Sequence, residues 1–152
     1  MNHQEIERKF KVARLPEDLE QYPRRRIEQG YLSTAPVVRV RRDNGEYYLT
    51  YKGAGVMVKE EYNLPLTREA YRHLLEKADG LVIRKDRFCI PFGAYTIELD
   101  RFDPPFAPLL IAEVEFPTEA EALAFQPPDW FGEEVTGDRA YSNAQMSRKA
   151  PE

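Results

Sequence analysis

The sequence predicts an α+β protein that is mainly β: an eight-stranded, antiparallel, closed barrel that forms a tunnel, with helices packed on its outside. Three observations support this fold class. Eight segments alternate apolar and polar residues with a period of two, turn sequences separate several of them, and charged side chains recur on one face of strand after strand. So many strands in 152 residues favour a barrel or a strongly rolled sheet. No repeat or linker divides the chain, so residues 1–152 are predicted to form a single domain.

The eight predicted strands follow the alternation along the chain. Their bounds are Gln4–Val12, Ile27–Leu32, Val37–Arg42, Glu46–Lys52, Val56–Leu64, Leu81–Ile90, Tyr95–Phe102 and Leu109–Phe116. Turn sequences such as D-N-G at residues 43–45 and P-F-G at residues 91–93 lie between neighbouring strands. Short turns of this kind join antiparallel neighbours, which indicates an antiparallel sheet.

Three helices and one helical turn are predicted around the strands. The helices are predicted over Arg68–Asp79, from Thr118 to about Phe125 and from Asp138 to about Arg148, and the turn near Pro16–Gln21. Thr67 is a suitable N-cap for the first helix, and Gly80 ends it. Glu121 completes a capping-box pattern at the start of the second helix.

Composition and charge exclude several classes of protein. The chain carries 22 basic and 26 acidic residues and a net charge of −4, which argues against a general nucleic-acid binder. No apolar run approaches the roughly 20 residues of a membrane span, and the N-terminus is too polar for a signal peptide. Cys89 is the single cysteine, so no internal disulfide forms and a cytoplasmic location is expected. The two separated histidines argue against a Cys/His zinc site.

Strand alternation places the charged residues together on one face of each strand. They are the acids Glu5, Glu7, Glu61, Glu98, Asp100, Glu113 and Glu115 and the bases Lys9, Arg39, Arg41, Lys52, Lys59, Lys85 and Arg87. One such strand alone is best explained by a sheet with one face in water. Across the set, most strands pair charges of one sign, whereas a solubilising surface mixes signs. Because the opposite faces are apolar enough to carry the helices, the charged faces are predicted to line the barrel interior.

A tunnel lined by both signs is expected to be wet and to bind a charged ligand, because removing an unpaired ion from water costs several kcal/mol. Arginine binds phosphate groups through two hydrogen bonds, so the basic wall favours an anion with many oxygens. Carboxylates favour a hard divalent cation such as Mg²⁺ or Mn²⁺. Together the two walls predict a polyphosphate bound with metal.

The motif E-I-E-R-K at residues 5–9 resembles the ExExK signature of the triphosphate tunnel metalloenzymes, also called the CYTH superfamily. The triplet alone is weakly specific, but R-V-R, K-E-E, K-D-R, E-L-D and E-V-E follow it in order. The resemblance extends from Gln4 to about Ser147, and the tail W-F-G-E-E-V-T-G-D-R-A-Y-S-N is similar to that of short bacterial members. Membership implies an eight-stranded antiparallel tunnel.

The resemblance implies a role for each matching position. The implied metal-binding carboxylates are Glu5, Glu7, Glu113 and Glu115, supported by Glu61, Glu98 and Asp100. The implied triphosphate-binding bases are Lys9, Arg39, Arg41, Lys52, Lys85 and Arg87, joined by Lys59. Glu7, Lys9 and Lys85 are the candidate catalytic residues, and Tyr31 is a candidate for a tyrosine that modulates catalysis. Asn63 departs from the family pattern, which often has a third acid there.

The implied activity is hydrolysis of inorganic triphosphate to pyrophosphate and phosphate, dependent on Mg²⁺ or Mn²⁺, with two ions expected. The alternatives are hydrolysis of a nucleoside or thiamine triphosphate and a class IV adenylate cyclase, for which no base pocket is evident in the sequence. A non-enzymatic polyphosphate-binding module is less favoured because both E-x-E pairs are intact. No nucleic-acid or membrane partner is expected, and the sequence leaves open whether the chain forms a homodimer.

Two smaller features have structural interpretations. The run Arg24–Arg26 is interpreted as a solvated segment before the second strand. Trp130 and Phe131 are expected to pack against the barrel.

Overall fold

A computed structural model of the protein describes residues 3–148 and contains nine strands. The strands are β1 Gln4–Val12, β2 Arg24–Thr34, β3 Val37–Asp43, β4 Glu46–Lys52, β5 Val58–Pro65, β6 Asp79–Phe92, β7 Tyr95–Phe102, β8 Leu110–Glu115 and β9 Phe131–Glu134. The α-helices are α1 Arg68–Leu75, α2 Glu119–Ala124 and α3 Asn143–Met146, and single 3₁₀ turns occur at Leu19–Gln21 and Arg139–Tyr141. Over residues 3–148, no helix has the length and apolar character needed to cross a membrane.

Eight of the strands close into the predicted antiparallel barrel, in the order β5-β4-β3-β2-β6-β7-β8-β1. The closing seam is short, because only residues 4–6 of β1 pair with residues 58–60 of β5. Closure removes the exposed sheet edges and turns one face of every strand inward. The predicted fold class is therefore confirmed.

The ninth strand, β9, was not predicted. It pairs with the later part of β1, beyond the seam, where Phe10 lies opposite Glu134. A strand of four residues that includes Gly132 is too short to show alternation and has weak strand propensity. β9 extends the sheet beside the barrel and brings Phe131 into the outer core, where packing was expected.

The outer face of the barrel is covered by aromatic packing beneath α2 and β9. Phe125, which directly follows α2, is buried, and its ring centroid lies 5.2–6.4 Å from those of five other aromatic residues. They are Phe10, Phe92, Tyr95, Phe116 and Phe131. Such tilted and edge-on contacts add to the stabilisation from burial. The apolar faces therefore point outward, as alternation predicts, and the charged faces point inward.

Arg8 fastens β1 to this outer layer. Its Nη1 donates to the carbonyl oxygens of Ala122 and Phe125 at the end of α2, at 2.8 and 3.2 Å. Its Nε and Nη2 each donate to Glu134 at 2.8 Å. The guanidinium binds carbonyl oxygens at the C-terminal end of α2 and ties them to β9. On the opposite face of β1, Glu7 and Lys9 point into the barrel.

Helix α1 packs on β2 and ends earlier than predicted. A Cβ at Gly30 would lie 2.8 Å from Cβ of Ala78 and from Cδ1 of Leu75, so only glycine fits beneath this segment without movement. The helix ends at Leu75 because Asp79 begins β6 and pairs with Tyr31 of β2. The predicted end at Asp79 was wrong because sheet pairing overrides local helix propensity there.

The predicted last helix from Asp138 to about Arg148 was also wrong. Ser142 has extended backbone angles and divides the segment into the 3₁₀ turn Arg139–Tyr141 and the short helix α3. The Ser142 hydroxyl then accepts from the Gln145 amide and starts α3 as a new cap. The break places Ser142 and Asn143 against the barrel interior.

Gly80 anchors this C-terminal segment and gives a stability prediction. Its φ is +70°, and an added Cβ would lie 2.2 Å from the carbonyl oxygen of Ser147, which accepts from the Leu81 amide. We expect Gly80→Ala to lower the free energy of unfolding by more than about 1 kcal/mol, through backbone strain and loss of this contact. Urea unfolding measures the change. Gly45→Ala is the control, since its Cβ would meet no atom within 4 Å; equal losses would contradict the prediction.

Candidate active site

A cavity of about 430 Å³ lies inside the barrel. Its lining includes side chains from all eight barrel strands and from residues 142–144 at the start of α3. Of the fourteen charged residues predicted to face inward, all except Asp100 line it. Strand alternation therefore brings the predicted site residues together.

Asp100 lies behind the cavity wall and joins two of the bases. Its side chain has no exposed surface, and its two oxygens accept from Nε and Nη2 of Arg87 at 2.7 and 2.9 Å. Lys85 Nζ lies 2.7 Å from Oδ2. Burial raises the pKa of Asp100, but Arg87 and Lys85 outweigh it and leave the pKa below its usual value. The prediction that Asp100 is a metal-side acid does not fit this geometry, because both oxygens are already engaged by cations.

Two of the bases, Arg39 and Lys59, have side-chain donors without partners in residues 3–148. Burial lowers the pKa of Arg39, and the neighbouring Arg41 lowers it further. Arg39 Nη2 donates to Thr50 Oγ1 at 3.1 Å, while its buried Nε has no hydrogen-bond partner in residues 3–148. The side chain of Lys59 forms no hydrogen bond or ion pair within the same residues, and burial, with Lys52 and Lys9 nearby, lowers its pKa. Such unpaired donors would be satisfied by an anion with several oxygens.

Lys85 is the most deeply buried base. Its side chain is 1% exposed, and burial lowers its pKa to about 7; Asp100 opposes this shift and Arg87 adds to it. An anion beside it would favour the charged form again. The site is therefore electrostatically complementary to an anionic ligand.

On the acidic side, two carboxylates that lie close to other acids have no side-chain partner among the described residues. Glu7 and Glu115 lie directly opposite each other on β1 and β8, and their carboxylates form no hydrogen bond or ion pair in residues 3–148. Burial raises the pKa of Glu7 well above its usual value, and Glu113 and Glu5 raise it further. Burial, with Glu5 nearby, also raises the pKa of Glu115, to about 7. Like charges in this arrangement destabilise the empty site, and a divalent cation would relieve the repulsion.

These acids do not form a preassembled metal cage. Within residues 3–148, no three Asp, Glu, His or Cys side chains converge closely enough to hold an ion by themselves. Mg²⁺ is commonly held by one or two carboxylates, with phosphate oxygens and water completing its shell. The carboxylates of β1 and β8 fit a site of this kind, in which phosphate oxygens and water complete the shell of the ion.

Lys52 and Glu113 join the two walls. Lys52 Nζ donates to Glu5 Oε1 at 2.9 Å and lies 3.4 Å from Glu61; burial opposes its charge, but Glu5 and Glu7 keep the pKa of Lys52 raised. Lys9 Nζ lies 3.7 Å from Glu113. Burial would raise the pKa of Glu113, but Lys9 and Arg87 hold it well below its usual value. Glu113 is therefore ionised between the basic and acidic walls.

Arg25 lines the cavity, contrary to its interpretation as part of a solvated run. Because β2 begins at Arg24, Arg25 points inward while Arg24 and Arg26 point outward and are exposed. Arg25 Nη2 donates to Glu98 at 3.1 Å. Extending the alternation of β2 three residues earlier would have identified it.

Three uncharged polar residues also belong to the site. Gln29 is fully buried and its Oε1 accepts from Arg41 Nε at 2.8 Å; it shares an alternation face with Tyr31, which lines the cavity. Asn143 Oδ1 accepts from Lys85 Nζ at 2.9 Å, and no sequence signal places it there. Asn63, the departure from the family pattern, donates to Glu61 Oε1 at 3.0 Å and so supports that acid.

Comparisons with known proteins agree with this architecture. Residues 3–143 match the family model of the CYTH domain. The chain is 39% identical to an inorganic triphosphatase of Nitrosomonas europaea over 97% of this chain and 99% of that protein. It is 38% identical to an inorganic triphosphatase of Acetivibrio thermocellus over 78% of this chain and 77% of that protein. A crystal structure of an inorganic triphosphatase matches with a TM-score of 0.72 and 35% identity over 97% of each chain. The chain therefore belongs to the CYTH domain family.

Proposed function

We propose that this protein is a metal-dependent inorganic triphosphatase that hydrolyses tripolyphosphate to pyrophosphate and phosphate inside the barrel. The observation that carries the proposal is the division of the cavity into a wall of bases with spare donors and a wall of carboxylates in which Glu7 and Glu115 have no side-chain partner in residues 3–148. The relatives that are named inorganic triphosphatases support the same substrate.

In this proposal, the basic wall binds the substrate. Arg39, Arg41 and Arg87 contact the phosphate oxygens together with the lysines of the cavity, Lys9, Lys52, Lys59 and Lys85. Phosphoryl transfer depends mainly on positioning and charge neutralisation, which an enclosed cluster of bases supplies. Asp100 is a positioning residue, since it holds Arg87 and Lys85 and lies outside the cavity lining.

The acidic wall would hold Mg²⁺ or Mn²⁺, and we propose two ions. The carboxylates of Glu5, Glu7, Glu113 and Glu115 would bind them, with Glu61 and Glu98 at the edges. When bound, such ions neutralise phosphate charge and lower the pKa of a coordinated water. Glu7 is the central ligand in this proposal because its partly buried carboxylate is crowded by acids and has no side-chain partner in residues 3–148.

The reaction itself needs no covalent intermediate. Water attacks the terminal phosphorus and releases a proton to solvent, the bridging P–O bond breaks, and pyrophosphate leaves with the electron pair of that bond. Lys9 and Lys85 stabilise the charge on the leaving and terminal oxygens by donating hydrogen bonds.

A neighbouring cavity favours organic triphosphates as a second candidate substrate class. This cavity of about 530 Å³ shares Glu7, Lys9, Lys52 and Lys59 with the tunnel. Tyr51 of β4 and loop residues complete its lining, including Pro36, Val56 and Val135. A partly apolar chamber beside the phosphate site could accommodate a base or thiamine moiety, which the sequence alone had not indicated.

Phosphate release from tripolyphosphate, ATP and thiamine triphosphate tests the proposal. We expect the highest kcat/KM on tripolyphosphate with Mg²⁺ or Mn²⁺, equal amounts of phosphate and pyrophosphate, and loss of turnover with EDTA. Faster cleavage of ATP or thiamine triphosphate would favour the second candidate, and cyclic AMP with pyrophosphate would indicate a cyclase. Tight tripolyphosphate binding without turnover under any divalent metal would indicate a binding module. We also infer a cytoplasmic location, since a single cysteine suits a reducing compartment.

A further inference from the structure

We propose that Gln29 and Asn143 are positioning residues, whose amide groups form one buried relay that orients the bases Arg41 and Lys85 toward the substrate. This inference rests on the proposed function only for the identity of the ligand. The relay connects a barrel strand to the C-terminal segment and joins two bases of the cavity wall.

Gln29 uses both ends of its amide. It has no exposed surface, and its Oε1 accepts from Arg41 Nε at 2.8 Å. Its Nε2 donates to Tyr31 Oη at 2.9 Å and to Asn143 Oδ1 at 3.4 Å. A side chain with this many buried bonds is held in one rotamer, and it constrains Arg41 in turn.

Asn143 reaches the relay from the end of the chain. It is the first residue of α3, and its Oδ1 accepts from Lys85 Nζ at 2.9 Å as well as from Gln29. Two residues earlier, the carbonyl oxygen of Tyr141 accepts from Lys9 Nζ at 3.2 Å. The segment around Asn143 therefore contacts bases from both β1 and β6.

The polarity of the four groups allows one consistent arrangement. Arginine and lysine have only donors, so the oxygens of both amides must face the bases. That orientation leaves the Gln29 NH₂ facing the Asn143 oxygen, which is a matched pair. Arg41 then donates to Gln29 through Nε only. The two terminal nitrogens of the Arg41 guanidinium can therefore donate to a ligand in the cavity that Arg41 lines.

Neutral amides suit this position better than carboxylates. Asp100 already neutralises part of the charge of Lys85 and Arg87. A further carboxylate at position 29 or 143 would orient a base equally well but would lower the positive potential that an anion needs. The relay therefore fixes geometry without reducing the charge of the site.

Double-mutant cycles distinguish positioning from simple structural support. The test uses Gln29→Met with Arg41→Ala and Asn143→Leu with Lys85→Met, and it measures KM and kcat for Mg²⁺-dependent tripolyphosphate hydrolysis. We expect each amide variant to raise KM about tenfold, the size of one hydrogen bond to a charged group, with kcat changed less than about threefold. In the Arg41→Ala background Gln29→Met should add nothing, and Asn143→Leu should add nothing in the Lys85→Met background.

Tyr71→Phe is the matched control, because it removes a buried hydroxyl's bond to Glu28 on the outside of the barrel. It should lower the thermal unfolding midpoint without changing KM. Asn143 is only partly buried, so Asn143→Leu keeps the test decisive if Gln29→Met does not fold.

Additive losses in both cycles, or an unchanged KM in folded variants, would overturn the relay. Failure of the wild-type protein to hydrolyse tripolyphosphate would instead contradict the proposed function. In that case the same cycles are measured on tripolyphosphate affinity by calorimetry, where non-additive losses support the relay and additive losses reject it.

Discussion

Glu7→Gln is expected to lower kcat for tripolyphosphate hydrolysis roughly a thousandfold, since a metal-bound carboxylate contributes several kcal/mol of transition-state stabilisation through the ion it holds. The substitution preserves shape and removes the charge. Glu7 is partly buried, forms no ion pair in residues 3–148 and lies opposite Glu115. Steady-state kinetics across a range of Mg²⁺ concentrations measures the loss.

The same variant should be at least as stable as the wild type without metal. A carboxyl group whose folded pKa is raised binds its proton more tightly in the native state, so its contribution to stability falls as pH rises above the unfolded pKa. Removing the charge therefore removes an unfavourable interaction from the folded protein and raises its free energy of unfolding at neutral pH. Urea unfolding in EDTA at pH 5 and pH 8 should show the larger gain at pH 8.

Glu133→Gln is the control for this prediction, because Glu133 is exposed on β9 and pairs with Lys11 outside the cavity. It should change neither kcat nor stability appreciably. Near-normal turnover of Glu7→Gln would remove Glu7 from the proposed metal site, and a large loss of stability would make it a structural residue.

Asp100→Asn is expected to lower the free energy of unfolding by about 3–5 kcal/mol, because it leaves Lys85 and Arg87 buried without their shared counter-charge. The Asp100 side chain is 0% exposed and those of its partners are 1% and 6% exposed, so little solvent screens the loss. The native pKa of Asp100 is lowered, so its stabilisation is fully present above the unfolded pKa. The difference between variant and wild type should shrink as pH falls through the folded pKa.

Asp103→Asn is the matched control, since Asp103 pairs with the half-exposed Arg26 on the surface. It should cost less than about 1 kcal/mol. Equal unfolding free energies for Asp100→Asn and wild type at pH 7, measured by urea titration, would contradict the assignment of Asp100 as the anchor of the two bases.

Alternation predicted which residues share a face of each strand, and the sorting of charges by sign with the apolar opposite faces predicted which face points inward. A strand has a period of two whatever it pairs with, so Glu5, Glu7 and Lys9 were assigned to one face before any pairing was known. Arg25 was missed only because β2 was predicted to begin at Ile27 instead of Arg24. Arg25 was therefore absent from the predicted site because the strand was predicted too short, although its periodicity was predicted correctly.

Alternation could not separate the roles of two acids on one face. Glu98 and Asp100 share a face of β7, yet Glu98 lines the cavity and Asp100 is enclosed behind it. The difference arises because pairing places Asp100 opposite Arg87 and within reach of Lys85, whereas Glu98 lies opposite Cys89. Register between strands depends on the whole sheet and cannot be obtained from one strand.

The sequence by itself determined the strands of the barrel, the orientation of their charged faces and most of the charged residues that line the cavity, because side-chain alternation is a local property of extended backbone. Only the tertiary structure decided that Asp100 is fully buried, that the Glu7 carboxylate has no side-chain partner in residues 3–148, and that Asn143 lies beside Lys85. Asn143 lies 114 residues after Gln29 in the chain, and their contact depends on a break at Ser142 and on packing of the C-terminal segment. Contacts between residues so far apart in the chain form only in the closed fold, because they depend on how all the strands pair.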